Sequence, residues 1–294
     1  MLRVTEQTMM QAAQRGLAAA QARVAAAQQS VTSGLRITRP SDDPVGTAAA
    51  LKAHADIAAA SQYKRNIDNG TAWLNTLDSA LGNATGFLRQ ARDLVIQGGN
   101  GAVTQDAKNA IADQVDALRK DLLGAANTRF MGRNVFAGSS SAADAFADGN
   151  PPTFNGSVTD TVQRRIGPDQ TVQVDSNGAK VFGTGAASAF AVLDQISADL
   201  RSGANPTTRL AALDTAMGAV VDGRSDAGTR LAQLQRASGE NQSAQTALEA
   251  QRSGIEDQDT GKAIMDLQLQ QTSYQAALAV SAKTLQPTLM DFLK

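Results

Sequence analysis

The chain has 294 residues, with 27 Lys and Arg against 28 Asp and Glu, one histidine, no cysteine and only 4% aromatic residues. Without cysteine, thiolate zinc sites, disulfide frameworks and Cys-His nucleophile pairs are excluded, and a Ser-His-Asp triad could be built only at His54. A formal net charge of -1 lacks the basic surplus that a nucleic-acid groove needs, and roughly a fifth of the chain is alanine, which favours long, thin helical packing over a globular enzyme core.

The first residues, Met1 to Gln11, are polar and hold no apolar signal-peptide stretch or small-residue cleavage site, and no run in the chain is long enough to span a bilayer. Taken alone this reads as cytoplasmic, and it leaves open export by a route that does not read a cleaved signal. From Met10, the residues Leu17, Val24 and Val31 recur at every seventh position, with Ala13, Ala20, Ala27 and Gly34 three further on. This is an a/d seam whose small d residues let two helices approach closely. Pro40 cannot continue the helix, whereas Asp43 before Pro44 is a ready N-cap with proline at N1. The stretch Thr38 to Pro44 is therefore expected to be a hinge, with Asp42 and Asp43 serving a cap and a solvated turn rather than metal or acid-base chemistry.

A second seam runs Ala60, Ile67, Leu74, Leu81, Leu88, Val95, accompanied by Tyr63, Gly70, Leu77, Ala84 and Ala91. Its phase survives Gly70, which predicts one long helix stopped by Gly98 and Gly99. Thr104 is placed to cap a third helix bearing Ile111, Val115, Leu118, Leu122 and Ala125. From about Phe136 to Gly183 the chain turns rich in Gly, Pro, Asn, Asp and Thr, with alternating runs at Val158 to Ile166 and Thr171 to Val174. Asn155-Gly156 and Asn177-Gly178 have the composition of hairpin turns, so a small antiparallel sheet is expected here. Gly183-Thr184-Gly185-Ala186-Ala187-Ser188 imitates a dinucleotide loop but lacks a third glycine and a βαβ unit, and reads as a turn into an N-cap at Ser188.

Helices return at Ser188 and after Pro206. The longer one carries Leu213, Val220, Ala227, Leu234, Asn241, Leu248 and Ile255 in heptad step, and its expected partner is the long N-terminal seam. The phase breaks across Glu256 to Gly261. A last seam follows: Ile264, Leu267, Tyr274, Leu278 and Leu285, with Gln271 and Ser281 as polar members. His54 has no nucleophile motif near it and reads as an exposed or packing residue; Trp73, beside the seam, reads as packing. Asn83-Ala84-Thr85 and Asn155-Gly156-Ser157 match a glycosylation pattern short enough to arise by chance.

The layout is mirror-like along the chain. It predicts a mainly α fold: an elongated rod of long antiparallel coiled-coil-like helices, a small inserted antiparallel β domain, and both termini paired at one end. The expected domains are residues 1-40 with 262-294, residues 41-135 with 188-261, and the β insertion at residues 136-187.

The run Val31-Thr32-Ser33-Gly34-Leu35-Arg36-Ile37-Thr38-Arg39-Pro40-Ser41-Asp42-Asp43-Pro44 closely resembles the Ser-Gly-Leu-Arg-Ile…Asp-Asp stretch of the flagellin superfamily. Its Pro-Ser-Asp-Asp-Pro form is more similar to the hook-filament junction branch than to flagellin proper. Met9-Met10, Gly132-Arg133-Asn134-Val135-Phe136-Ala137-Gly138, Val172-Gln173-Val174 to Lys180-Val181-Phe182-Gly183, and the ending Leu289-Met290-Asp291-Phe292-Leu293-Lys294 agree, in order, over essentially the whole chain. The resemblance implies a structural, non-enzymatic subunit without cofactor, exported unfolded by the flagellar secretion apparatus to an extracellular flagellum. It also implies partners: copies of the same chain, a hook-associated protein on the hook side, flagellin on the filament side, and an export chaperone near the C-terminus. Nucleic acid and membrane insertion are not among them. On this chain, Met10, Leu17, Val24, Val31, Ile264, Leu267, Tyr274, Leu278 and Leu285 are the expected assembly seam, and Pro40, Asp42, Asp43 and Pro44 the hinge and cap. The same apolar positions equally read as ordinary intrachain core, and one seam can serve both. A soluble helical enzyme or ligand-binding protein is the competing class, and no convergent polar set supports it.

Overall fold

The computed structural model describes residues 2–284. The heptad phases of the sequence decide its long elements: α1 (Leu2–Ser33), α2 (Pro44–Gly98), α3 (Gln105–Ala126), α6 (Leu210–Glu256) and α7 (Thr260–Thr284). Short helices α4 (Gly178–Phe182) and α5 (Ala189–Arg201) lie between α3 and α6, with six strands: β1 (Arg129–Phe130), β2 (Arg133–Asn134), β3 (Phe146–Ala147), β4 (Thr153–Phe154), β5 (Gln163–Arg165) and β6 (Thr171–Gln173). The described residues divide into two compact units, one comprising residues up to Ala59 together with those from Gln245 onward, the other Ala60–Ala244.

In the second unit, α2 continues through Gly70 as its phase predicts. The glycine is buried, and a Cβ there would lie 3.1 Å from Leu234 Cδ1 and 3.2 Å from Val174 Cγ1, so the missing side chain is what lets neighbours close on the helix. The partner of α6 is the Ile67 to Val95 seam, and the two helices run antiparallel. Asn241 Nδ2 donates to the Ala60 carbonyl at 2.9 Å, Arg224 Nε meets Asp78 at 2.8 Å, and Arg92 Nε meets Asp214 at 2.9 Å. Between them Ile67, Leu74, Leu77, Leu81, Leu88 and Val95 of α2 and Leu213, Val220, Ala227 and Leu234 of α6 are buried. At about 25 cal/mol per Å2 of apolar surface removed from water, burying this row stabilises the unit.

The third helix starts where Thr104 offers its hydroxyl to the Ala107 N–H at 3.3 Å, and α5 starts where Ser188 caps Ala191 N–H at 3.1 Å, both at the sites read from the sequence. They pack on each other through Ile111, Val115, Leu118 and Leu122 against Val192, Leu193, Ile196 and Leu200. Arg201 Nη2 ties them at the edge, reaching Asp113 and Asp116 at 2.7 Å each.

The inserted strands are antiparallel, as expected, but form three separate two-stranded ladders, and the first begins at Arg129, ahead of the expected start at Phe136. Its two-residue turn is Met131-Gly132, with φ of 50° and 81°. Neither Asn-Gly pair closes a hairpin. Asn177 instead caps α4, its Oδ1 accepting from Ala179 N–H at 2.9 Å. Gly156 sits under the Phe154 ring, where a Cβ would come within 2.9 Å of Ala137 Cα. Much of the scarce aromatic content gathers here: Phe136, Phe146, Phe154, Phe182 and Phe190 stack with ring centroids 5.1 to 5.8 Å apart. Trp73 is a packing residue, 5.5 Å from Phe130 by ring centroid. Thr85 of the first glycosylation-like triplet is buried in α2, its hydroxyl donating to the Leu81 carbonyl at 2.8 Å.

Candidate functional site

In the first unit the two ends of the chain meet. Helices α1 and α7 pack along each other antiparallel, and Ala12, Leu17 and Arg23 of α1 line a groove together with Gln270, Ala277 and Val280 of α7. On α1 the half-buried or buried row is Ala13, Leu17, Ala20, Val24, Ala27 and Val31, which is the heptad seam of the sequence. On α7 the corresponding row is Ala263, Leu267, Gln270, Tyr274, Ala277 and Ser281. Leu267 and Tyr274 therefore join the pair, whereas Ile264 (48% exposed) and Leu278 (41%) lie one residue out of phase with the covered row and remain open. Met10 is also open, and Leu285 lies outside the described residues.

A feature that the heptad reading missed lies opposite this seam. Val280 (62% exposed) borders the groove against α1, whereas Met265 (65%) and Leu269 (61%) form a second apolar patch on α7. At 100° per residue it sits roughly half a turn from Leu267 and Tyr274. The signal was in the sequence, but a helix apolar on two faces has no single seam, and the stronger heptad masked the other one.

The end of α1 and the α6–α7 break hold one another through the backbone. Gly34, at φ 69°, turns the chain out of α1. Leu35 and Asp257 then form a one-rung antiparallel bridge. Arg36 N–H donates to the Glu256 carbonyl at 2.7 Å, and Gln258 N–H to the Gly34 carbonyl at 2.9 Å. Side chains reinforce it: Ser30 Oγ donates to Gln258 Oε1 at 2.9 Å, and Arg36 Nη2 to the Ile255 carbonyl at 2.8 Å. His54 finds its partner here, its Nε2 lying 2.9 and 3.0 Å from the Glu256 carboxylate oxygens.

The two adjacent aspartates divide the hinge between them. Asp43 Oδ1 accepts the Gly46 N–H at 2.8 Å, capping α2 with Pro44 at N1, and its Oδ2 is 3.3 Å from Arg36 Nη1. Asp42 Oδ2 instead gathers the loop before it, accepting from Thr38 Oγ1 at 2.9 Å, Arg39 N–H at 2.8 Å and Thr38 N–H at 3.2 Å. The Thr38 hydroxyl first, then the Arg39 N–H, hold its carboxyl below the ordinary carboxylate range. Pro40 is exposed at the tip. Asp259 repeats the device on the return path, accepting the Lys262 N–H at 3.1 Å to start α7.

These geometries hold two helices in register and leave apolar rows open; they converge on no reacting atom. Among the described residues no cluster of three or more His, Asp or Glu is placed to hold a metal, and no helix is long and apolar enough to cross a membrane.

Comparison with known proteins places the chain. The profile of the bacterial flagellin N-terminal helical region matches residues 4–141, and that of the bacterial flagellin C-terminal helical region matches residues 210–293. The chain is 26% identical to flagellar hook-associated protein 3 of Escherichia coli K12, over 94% of this chain and 95% of that protein. It is 25% identical to a flagellin of Halalkalibacterium halodurans, over 87% of this chain and 85% of that one. Among solved structures, a flagellar hook-associated protein of Vibrio parahaemolyticus shares the fold with a TM-score of 0.68 at 19% identity, covering 74% of this chain and all (100%) of the other. A flagellar junction protein of Legionella pneumophila does so at 0.60 and 18%, covering 71% and 100%.

Proposed function

The chain belongs to the flagellin superfamily, and on that premise we propose that it is a non-enzymatic structural subunit of the bacterial flagellum that joins hook to filament. It reaches that place outside the cell unfolded, through the flagellar secretion apparatus and without a cleaved signal. There it assembles through its paired ends with copies of itself, with a hook-associated protein below and with flagellin above. An export chaperone covers the C-terminal helix beforehand. The domain division that goes with this role is residues 1-40 with 262-294 as the inner assembly element, 41-135 with 188-261 as the helical body, and 136-187 as the outward β part.

The observation that carries the reading is the α1–α7 pair. It buries one apolar row within the chain and leaves Met10, Ile264, Met265, Leu269, Leu278 and Val280 open, as a helix pair built to be covered by neighbours would. Near-full-length similarity to a hook-associated protein favours the junction role. Similarity over most of the chain to a flagellin supports a second reading, that of the filament subunit itself.

Electron microscopy of cells lacking the protein separates them. Intact hooks with filament protein shed into the medium is the expected result. Absent filaments together with complete, unaltered junctions would point to flagellin, and normal filaments would remove both readings.

A further inference from the structure

The β1–β2 turn carries an anomaly. Both of its central residues have positive φ, Met131 at 50° and Gly132 at 81°. A two-residue turn of this kind favours Asn or Gly at its first position, because other side chains crowd the backbone there. The chain places methionine instead and leaves it 80% exposed, its Sδ touched by Asn69 Nδ2 at 3.6 Å. A flexible, polarisable thioether held out at a turn tip, against both backbone preference and hydrophobicity, is suited to filling an apolar recess on another surface. Arg133 beside it is exposed and, among the described residues, has no ion-pair partner.

The same unit contains such a recess. Between α2 and α3 lies an open groove of about 460 Å3, in which Leu94, Ala117 and Leu118 supply the apolar lining and Gln90, Asp93, Gln97 and Gln114 the polar lining. Asp93 is exposed and, among the described residues, also lacks an ion-pair partner. Tip and groove cannot meet within one molecule. Asn69, under the tip, and Leu94, in the groove, stand 25 residues apart on the continuous helix α2, about 38 Å at 1.5 Å per residue.

We propose that the Met131 tip of one copy seats in the Leu94–Leu118 groove of a second copy, with Arg133 facing Asp93. The contact is heterologous, knob on one copy and socket on the next, and so propagates into rings or open helical arrays rather than closing a two-fold dimer. The inference rests on the self-assembling role proposed above and deepens it with a specific contact.

The absence of cysteine makes the test clean. In flagella assembled from the double variant Met131→Cys with Gln114→Cys, mild oxidation is expected to give a disulfide-linked ladder of this chain, while each single variant stays monomeric. A double variant that stays monomeric, or a Met131→Cys single variant that cross-links to itself or to another flagellar protein, overturns the contact. Met131→Asn installs the residue the turn favours, so its melting temperature should equal or exceed that of the parent, while filaments are shed at least tenfold more readily under shear. Filaments that hold as firmly as wild type overturn the contact while leaving the junction role standing; that role is tested separately by the deletion strain.

Discussion

Leu35 and Asp257 face each other in a single antiparallel rung, 222 residues apart in sequence, and this rung closes the first unit where α1 gives way to the hinge and α6 to α7. The rung consists of two backbone bonds, donated by Arg36 N–H and Gln258 N–H, which together make a two-point clamp. Backbone pairing of this kind demands no particular side chain, yet it fixes where two helices end relative to each other. The residues around it therefore bear on the register of the whole α1–α7 pair.

The Asp43 cap has a defined cost of removal. Asp43→Ala strips the acceptor from the Gly46 N–H and should lower stability by about 1 kcal/mol. Thermal unfolding of the full chain checks this, and an unchanged melting profile would count against Asp43 as the N-cap.

Gly46 gives a test of opposite sign to helix propensity. In the interior of an exposed helix, Gly→Ala stabilises by about 1 kcal/mol. Here a Cβ would fall 2.6 Å from Ile37 Cδ1 and closer still to the Asp43 carboxylate. Gly46→Ala should therefore destabilise, and a raised melting temperature would show that the cap does not need this space.

Asp42 sets an acid dependence. Its carboxyl is held below the ordinary range by the Thr38 hydroxyl and the Arg39 N–H, so its contribution is present above the unfolded-state pKa and lost as pH falls through the depressed folded value. On acidification below the usual carboxylate range, the Thr38 and Arg39 amides should lose protection from exchange in the parent chain. In Asp42→Asn the same step should leave their protection flat. Equal acid responses in the two chains would remove Asp42 as the organiser of the loop.

Hydrogen exchange should divide the molecule. Among the described residues Ala27 is the one buried apolar side chain of α1 and Ala263 that of α7, whereas α2 buries an almost continuous row from Ile67 to Val95. A helix pair with so little covered area orders fully only when neighbours cover it. Amides of residues 2 to 34 should exchange orders of magnitude faster in the isolated chain than those of 67 to 95. Equal protection would sink the idea that the ends order on assembly.

Periodicity made the helices legible in sequence because a helix repeats its environment every 3.6 residues, so one buried face leaves a regular trace. The α2 seam, its passage through Gly70, the stop at Gly98 and the caps at Thr104, Ser188 and Asp43 were all local signals. Where the environment was not local, reading failed. Asn177-Gly178 has a hairpin composition, but Val181 and Phe182 are buried just after it, and a cap for α4 won over a turn. The shift of the α7 row from Ile264 to Ala263 could not be seen, because both phases carry apolar residues and only the position of α1 chooses between them.

The sequence by itself thus determined the long helices, the caps at Asp43, Thr104 and Ser188, the absence of cysteine chemistry and the family motif at the hinge, since each depends on residues within a turn or two of one another. Tertiary structure alone decided that Leu35 meets Asp257, that His54 pairs with Glu256, which face of α7 stays open, and that Met131 stands at a turn tip far from the groove at Leu94. Those are relations between segments distant in the chain, and they are set by which surfaces the long helices bury against each other, a quantity no single stretch of sequence contains.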